Sequence, residues 1–378
     1  MSAPRVYGWC PGALRPMMSG DGLVVRVRAP MGRLTQEQAR GVADLSMRFG
    51  SGVIDLSARA NLQLRGVEEA GHPALIDGLR NLGLIDHDIA AESRRNLVIQ
   101  PFWREGDDTH QIAQALTEAL ANEDAPDLPG KFGFAVDCGP APLLNDVSSD
   151  IRIERGTDGL ICRADGAEHG VAVTSETAAT VALSLAHWFV RTGGITDRRG
   201  RMADHIDRVG TPEAGDQPRT LTQSDRTPKP GLTETGALIA LEFGQMQAGT
   251  LARLGKLGAI RVTPWRMLLV EGQDRLPDLP DLIIDPTDAR LKISVCTGAP
   301  GCHQGLSSTR DIARALAPHV RQRLHISGCA KGCAHPAASP VTLTATAEGR
   351  FDLIRNGRAS DTPARRGLGP DDLVSGEL

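Results

Sequence analysis

Several features that define other protein classes are missing from this chain of 378 residues. No stretch approaches about 18 consecutive apolar residues, so the sequence predicts no transmembrane helix and no membrane partner. The segment from Met1 to Cys10 contains no apolar run of signal-peptide length, which predicts a cytoplasmic protein. The formal net charge is −4, which argues against nonspecific binding to nucleic acid.

Nucleotide-binding signatures are missing as well. A glycine pattern begins at Gly50-Ser-Gly52, but Asp55 stands at the third glycine position and a helix precedes the pattern. No Gly-x-x-x-x-Gly-Lys-Ser/Thr motif occurs. The sequence therefore predicts no nicotinamide site, and electrons for a redox reaction would come from an external donor.

Lysine is scarce, because only five of the 42 basic residues are lysines and the rest are arginines. Codon usage in a GC-rich genome accounts for such a bias. The alternative is that a retained lysine performs a task that arginine cannot perform. Lys131 and Lys331 both lie in motifs described below.

The general composition is that of a globular protein, with 40% hydrophobic and 23% charged residues. A wholly disordered or fibrous chain is thereby excluded. The length predicts roughly two to three domains.

Seven cysteines, an odd number in a cytoplasmic protein, disfavour a disulfide framework. Cys296 and Cys302 form a C-x5-C pattern, and Cys329 and Cys333 form a C-x3-C pattern. Four thiolates from two short loops suit an iron–sulfur cluster or tetrahedral zinc. The x5 spacing is longer than in most zinc ribbons and favours iron–sulfur, with unliganded thiols as a third possibility.

The residues around the two cysteine pairs are small or can donate hydrogen bonds. Small residues fill both loops and let backbone amides approach cluster sulfurs closely. His303 and His335 flank the pairs, and we expect them to form hydrogen bonds near a cluster rather than to ligate a metal. The remaining cysteines, Cys10, Cys138 and Cys162, are predicted to be small buried hydrophobes.

The chain contains an internal repeat. Residues 52–66 align without a gap on residues 258–272, with glycine at both ends of each segment and the same apolar alternation. Residues 112–116 resemble residues 312–316 at nearly the same spacing. Two matches in the same order predict two related halves.

Each half is predicted to form strand, helix, strand, turn and strand, followed by a second α/β unit. In the first half, Thr35-x-x-Gln38 is a capping box that begins a helix. The polar stretch 209–231 lacks apolar periodicity and is predicted to be a linker. The other clearest predictions are strands at 23–28, 53–56, 62–67 and 132–137, and helices at 108–121 and 308–320.

The two cysteine pairs in the second of two related halves resemble the sulfite/nitrite reductase superfamily, whose members pair a 4Fe–4S cluster with sirohaem. Residues 57–63 resemble the Thr-Thr-Arg-Gln-type strand of that superfamily, and residues 94–96 resemble its Arg-Asn motif. Residues 128–133 resemble its Pro-Arg-Lys-Phe-Lys stretch. Lys131 matches the first lysine of that stretch, but Gly133 stands where reductases carry the second.

Three further stretches, 9–22, 131–137 and 327–336, are similar to the precorrin-3B synthase family within this superfamily. That resemblance implies an oxygen-dependent monooxygenase that hydroxylates precorrin-3A at C20 and closes a γ-lactone. It implies a 4Fe–4S cluster and a non-haem iron rather than sirohaem. The implied partners are precorrin-3A, dioxygen and an external electron donor such as a reductase or ferredoxin.

The resemblance also implies the fold. We expect an α+β protein with a three-domain, sulfite/nitrite reductase-like architecture and a pseudo-two-fold repeat in which the halves interlock. The predicted segments are a first ferredoxin-like half-domain (1–90), a first α/β unit without a cluster (91–208), the linker (209–231), a second half-domain (232–285) and a cluster-binding α/β unit (286–378).

The site residues follow from the matched motifs and from the chemistry of the ligand. A tetrapyrrole edged with carboxylates needs several positive groups, and arginine pairs with a carboxylate bidentately. The predicted catalytic residues are Arg59, Arg95 and Lys131. Predicted tetrapyrrole contacts are these three with Asn61, Gln63, Arg65, Arg94, Asn96 and Lys331.

Some of these assignments have alternatives. For Arg65 and Arg94, a solvated surface position is the competing interpretation. The predicted cluster ligands are Cys296, Cys302, Cys329 and Cys333, and weak candidates for an iron site are His303 and His335.

Two other functions are compatible with the pattern. One is a sirohaem-dependent sulfite or nitrite reductase. The other, from a different class, is a non-catalytic module in which the four cysteines bind zinc.

Overall fold

Four β-sheets and their covering helices form the part of the chain, residues 11–212, 215–219 and 227–375, that this computed structural model describes. The predicted α+β class is confirmed. Cys10 and the start of the motif at Trp9 lie outside the described residues. In the described ranges, no helix has the length and apolar character needed to cross a membrane.

The first sheet has the strand order β1-β2-β5-β4 and is covered on one face by two helices, α1 and α2. Helix α1 begins at Thr35, and both hydrogen bonds of the predicted capping box with Gln38 are present. The elements are β1 (Met17–Ser19), β2 (Gly22–Val27), β3 (Arg33–Leu34), α1 (Gln36–Phe49), β4 (Val53–Leu56), β5 (Leu62–Val67), α2 (His72–Asn81) and α3 (Ile89–Arg94).

The second sheet is part parallel and part antiparallel. Strands β6, β7 and β8 are parallel neighbours, and β9, β10 and β11 continue the sheet antiparallel. Strand β11 lies in the stretch predicted as a linker. The elements are β6 (Leu97–Ile99), α4 (Asp108–Ala121), β7 (Phe134–Asp137), β8 (Ile151–Arg155), β9 (Leu160–Ala164), β10 (His169–Val173), α5 (Ala178–Arg191), α6 (Met202–Val209) and β11 (Gln217–Pro218).

The third sheet repeats the first, and the fourth repeats the parallel and antiparallel order of the second. The third segment contains β12 (Gly231–Leu232), β13 (Gly236–Leu241), β14 (Gln245–Gln247), α7 (Ala248–Leu257), β15 (Ile260–Val262), β16 (Met267–Glu271) and β17 (Leu282–Ile283). The fourth contains β18 (Ile293–Val295), α8 (Arg310–Leu316), β19 (Leu324–Ser327), β20 (Ser339–Ala347), β21 (Arg350–Gly357), β22 (Arg365–Leu368) and α9 (Pro370–Ser375).

The repeat extends to backbone details. Met31 and Phe243 have φ of 55° and 53° at equivalent points of short 3₁₀ turns, and Ala60 and Arg266 have φ of 52° and 62° in equivalent turns between strands. L-residues rarely adopt this left-handed region, so its recurrence at matched positions shows that the two halves share one backbone fold. The predicted pseudo-two-fold repeat is confirmed.

The two halves exchange strands. Strand β14 of the second half pairs with β4 of the first sheet, and β3 of the first half pairs with β15 of the third sheet. Helices α1 and α7 pack against each other beside this exchange. The halves therefore interlock, and each of these two sheets contains residues from both predicted half-domains.

Candidate functional site

One face of the first sheet carries charged and amide side chains. Arg26 alternates with Val25 and Val27 along β2, and it pairs in register with Gln63 of β5. Gln63 in turn pairs with Asp55 of β4. Because paired residues in a sheet point to the same face, these side chains lie opposite the apolar face under the helices. Three further residues share this face by alternation, namely Arg28, Asn61 and Arg65.

The arginines of this face are buried. Arg26, Arg28 and Arg65 expose 7%, 6% and 6% of their surface. In the described part of the chain, no acceptor reaches the Nε of Arg26 or the Nε and Nη1 of Arg28 within hydrogen-bond geometry, and the ion partner of Arg28 is Glu92 at 3.5 Å. Burial, and then the charge of Arg26, lower the pKa of Arg28 to about 10. Buried cationic donors without acceptors are costly, so this face fits an anionic ligand.

The equivalent face of the third sheet has a different character. Its centre is an apolar cluster made of Leu238, Ala240, Met267, Leu269 and Ile283, and its arginines, Arg33 and Arg261, are both paired with Glu271. Trp265 packs against that cluster and occupies the position equivalent to Arg59 in the repeat. Of these two equivalent faces, as far as the structure describes them, only that of the first half leaves buried arginine N–H groups without acceptors.

A cavity of about 610 Å³ is lined in part by Arg28 of this face. Its volume lies within the range of ordinary small-molecule sites. Glu92 and the segment Leu128–Gly130 contribute to its wall, and Arg15, Arg198 and Arg199 add further positive charge. The cavity therefore joins the arginine face to the loop that ends at Lys131.

Three side chains hold the backbone of that loop. Arg59 donates from Nη2 to the carbonyl of Lys131 (2.9 Å), and Asn96 donates from Nδ2 to the carbonyl of Phe132 (2.8 Å). Asp150 accepts the N–H of Gly133 at 2.9 Å. Burial raises the pKa of Asp150, although its ion pair with an arginine opposes the rise. The Lys131 side chain is exposed.

Gly133 is enclosed by Asn96. A Cβ at this position would lie 2.8 Å from Nδ2 and 3.1 Å from the backbone oxygen of Asn96. Asn96 is fixed by its hydrogen bond to Phe132. The second lysine of the reductase pattern therefore cannot be accommodated here unless Asn96 moves.

The neighbouring arginines of the Arg-Asn motif point to different places. Arg94 is buried and donates from Nε to the carbonyl of Leu120 at 3.1 Å. Arg95 forms a two-bond ion pair with Asp86 (2.7 and 2.9 Å) and donates to the carbonyl of Arg28 (3.2 Å). Arg95 thus lies beside the arginine face, whereas a tetrapyrrole contact of Arg94 stays a prediction.

The cysteine pairs meet because of the sheet that carries them. Cys296 follows β18 directly, and Cys329 comes two residues after β19, its parallel neighbour. The carboxyl ends of adjacent parallel strands lie at one edge of a sheet, so the two loops meet there. Cys333 keeps an exposed surface, but desolvation of its thiol raises its pKa to about 11. Cys296, Cys329 and Cys302 reinforce the rise against the opposing charge of Lys331. The four thiols therefore lie within electrostatic reach of each other.

Glycines make close packing around these thiols possible. Gly328 donates its N–H to Cys296 Sγ at 3.1 Å, and a Cβ on Gly328 would lie 3.1 Å from the Cα of Gly298. Gly298 has a φ of 65°. The backbone N–H of Lys331 donates to the Cys329 thiol and opposes the rise in its pKa that burial causes. Four thiols with backbone donors on sulfur fit the donor set of a 4Fe–4S cluster.

The histidines near the cysteine loops differ in their surroundings. His303 is exposed, whereas His335 is half-buried and donates to the carbonyl of Ala338 at 3.3 Å. The ring of His335 lies 5.8 Å from that of His325, which is fully buried. Burial lowers the pKa of His325 to about 4, with smaller effects of His335 and Arg266. Among the described residues, no three His, Cys, Asp or Glu side chains form a set that could hold one metal ion.

Sequence reasoning missed Arg26, Arg28 and His325. The signal that could have identified them was available, because each alternates with buried apolar neighbours in its own strand or directly after it. A charged residue at such a position faces either solvent or a polar interior surface, and local alternation does not distinguish the two.

The fold described above is shared with known proteins. Residues 15–82 match the nitrite/sulfite reductase ferredoxin-like half domain. The solved structure of the Mycobacterium tuberculosis NirA protein superposes with a TM-score of 0.70 at 18% identity, covering 93% of this chain and 79% of that one. The fold is therefore that of the sulfite and nitrite reductases.

Relatives that match most of the chain identify the family within this fold. A precorrin-3B synthase from a Sinorhizobium species is 30% identical over 94% of this chain and 84% of its own length. A ferredoxin–nitrite reductase from Synechococcus elongatus is 24% identical over 87% of this chain and 77% of its own. The chain belongs to the precorrin-3B synthase family, which confirms the resemblance seen in the sequence motifs.

Proposed function

We propose that this chain is an oxygen-dependent monooxygenase that converts precorrin-3A to precorrin-3B, by hydroxylation at C20 and closure of a γ-lactone. The observation that carries the proposal is the pair Arg26 and Arg28, whose buried N–H groups lack acceptors among the described residues. The arginines on the equivalent face of the other half are instead paired with Glu271. The family relationship supports the same substrate class.

The substrate would be bound through its acetate and propionate groups. Each carboxylate that reached Arg26 or Arg28 would satisfy buried cationic donors, and such charge-assisted bonds are stronger than neutral ones. The cavity wall that runs from Arg28 to Gly130 leads to Lys131. Arg95 donates to the carbonyl of Arg28 and Arg59 to that of Lys131. From these positions the two arginines would contact the substrate and orient it.

Cys296, Cys302, Cys329 and Cys333 would hold a 4Fe–4S cluster, which supplies electron transfer when it is bound. Hydroxylation by dioxygen transfers one oxygen atom to the substrate and reduces the other to water, which requires two electrons and two protons. The sequence predicts no nicotinamide site, so a separate reductase or ferredoxin would deliver the electrons. The described residues offer no ligand set for the non-haem iron that the family implies.

A sirohaem-dependent sulfite or nitrite reductase is the second candidate. It is favoured by the retention of Arg59, Arg95 and Lys131 in motifs that resemble those of the reductases, and by reductase relatives such as the sulfite reductase of Mycobacterium tuberculosis, which is 22% identical over 82% of this chain. The enclosed Gly133 departs from that pattern.

Anaerobic purification followed by one spectrum and one assay tests the proposal. We expect a broad iron–sulfur absorbance without sirohaem bands, and at least four irons and four sulfides per chain. With precorrin-3A, a reductant and isotopically labelled dioxygen, one labelled oxygen atom should enter the product. Strong sirohaem bands with sulfite or nitrite reduction would support the second candidate. Zinc without iron or sulfide would support the non-catalytic module and overturn both.

A further inference from the structure

The turn between β1 and β2 packs against the C-x5-C loop of the opposite half. It carries the sequence Ser19-Gly-Asp-Gly22, part of a motif with no role in the proposed chemistry so far. A Cβ on Gly20 would overlap the carbonyl oxygen of Pro300. The turn therefore lies in direct backbone contact with the segment that leads into Cys302.

Two donors converge on one carbonyl at this contact. Ser19 donates from Oγ to the carbonyl of Gly301 at 2.7 Å, and Arg65 donates from Nη2 to the same oxygen. Asp21 fixes that guanidinium with two hydrogen bonds, to Nε at 3.0 Å and to Nη2 at 2.7 Å. Asp55 lies 3.7 Å from the Nε of Arg65 on its other side.

The contact acts directly on a predicted cluster ligand. The carbonyl of Gly301 and the N–H of Cys302 belong to one peptide group, and that N–H donates to the carbonyl of Gly298 at 2.8 Å. Hydrogen bonds to a peptide carbonyl polarise the N–H of the same group and strengthen its own bond. Ser19 and Arg65 therefore fix the backbone from which the Cys302 thiol projects.

We propose that Ser19, Asp21 and Arg65 form a latch that holds the Cys302 loop in its cluster-binding shape and sets the charge beside it. The latch rests on the proposed cluster at the four cysteines. Arg65 shares the face of Arg26 and Gln63. In this proposal it has a positioning role toward the cysteine site, in place of the tetrapyrrole contact expected from the sequence.

The charges of Asp21 and Arg65 predict the direction in which the midpoint potential of the cluster shifts in each variant. A nearby positive charge favours the reduced, more negative state of a cluster, and a nearby negative charge opposes it. Asp21→Asn leaves the charge of Arg65 less compensated and should raise the midpoint potential. Arg65→Gln leaves Asp21 uncompensated and should lower it. A loop that is merely loosened has no reason to shift in opposite directions in the two variants.

The test measures cluster loss to a chelator and the midpoint potential in anaerobic holoprotein. Ser19→Ala removes one hydrogen bond and should speed cluster loss about two- to tenfold. Gly20→Ala should do the same by displacing Pro300, without any change of charge. Matched controls away from the site are Ser184→Ala on α5 and, in the exposed ion pair of α2, Asp77→Asn and Arg80→Gln.

A second readout separates the latch from the proposed function. In cluster-free protein, iodoacetamide labelling of Cys302, followed by mass spectrometry, should be faster in Ser19→Ala and Gly20→Ala than in the wild type. The buried Cys138 should stay unlabelled in all of them, which controls for unfolding. Equal labelling and equal cluster loss in these variants would overturn the latch, as would potential shifts of the same sign in Asp21→Asn and Arg65→Gln. Wild-type protein that takes up no iron would overturn the cluster assignment, while the labelling rates would still report on the loop.

Discussion

Arg59 donates a hydrogen bond to the backbone carbonyl of Lys131 at 2.9 Å, which joins the turn between β4 and β5 to the loop before β7. The same Nη2 reaches Ser148 Oγ at 3.4 Å, and Arg201 donates to that hydroxyl at 3.0 Å. Two residues predicted to be catalytic are thus linked through the main chain. The position of Lys131 therefore depends on Arg59.

This link predicts different outcomes for two variants that both loosen the loop. Arg59→Ala and Asn96→Ala each remove one hydrogen bond to residues 131–133 and should speed amide hydrogen exchange there. Only Arg59→Ala also removes a positive charge. Its KM for precorrin-3A should therefore be about tenfold higher than that of Asn96→Ala, which corresponds to roughly 1.4 kcal/mol. Equal KM values in the two variants would show that Arg59 acts only by supporting the loop.

The enclosed position of Gly133 predicts that a lysine there fails to restore the reductase pattern. Gly133→Lys must displace Asn96 and break its bond to Phe132, so the free energy of unfolding should fall by about 1–3 kcal/mol. Gly133→Ala should show much of the same loss, because the first added carbon already meets Asn96. Urea unfolding measures both variants. A Gly133→Lys protein as stable as the wild type would contradict this packing.

Local patterns in the sequence predicted several elements closely. The capping box at Thr35 and the helix at Asp108–Ala121 occur as expected, because caps and helical periodicity depend on residues within a few turns. The pairing of β14 with β4 depends on how the halves dock, and nothing in the few residues of either strand encodes that partner. The convergence of Arg65 on Gly301 also joins distant segments and was not predictable for the same reason.

Arg28, whose Nε and Nη1 have no acceptor in the part of the chain that the structure describes, predicts opposite effects on stability and binding. Arg28→Met combined with Glu92→Gln removes both members of a buried ion pair, in which the pKa of Arg28 is lowered to about 10 by burial and by Arg26, so thermal stability should stay equal or increase. Affinity for precorrin-3A should fall about ten- to a hundredfold, the equivalent of one charge-assisted hydrogen bond of roughly 1.5–3 kcal/mol. Calorimetry measures both quantities, and Arg40→Met on the exposed side of α1 is the control. Unchanged affinity would remove Arg28 from the substrate site.

The raised pKa of Asp137, at the end of β7, predicts that the free energy of unfolding depends on pH. Burial raises the pKa of Asp137 from 3.8 to about 6, although its Oδ2 accepts the N–H groups of Leu143 and Leu144 at 2.6 and 2.7 Å. Between these pH values the folded state binds more protons than the unfolded state. The carboxyl group therefore loses stabilising effect as the pH rises from about 4 to about 6, by up to roughly 3 kcal/mol.

Asp137→Asn keeps an acceptor oxygen for Leu143 and Leu144 and removes the buried charge. The variant should therefore gain stability relative to the wild type as the pH rises through this window, and the difference should level off above about pH 6. Urea unfolding at several pH values measures the difference, with the exposed Asp146→Asn in the same loop as control. A difference that does not change with pH would mean that the folded protein holds Asp137 with an ordinary pKa. The two backbone donors on Oδ2 would then outweigh burial.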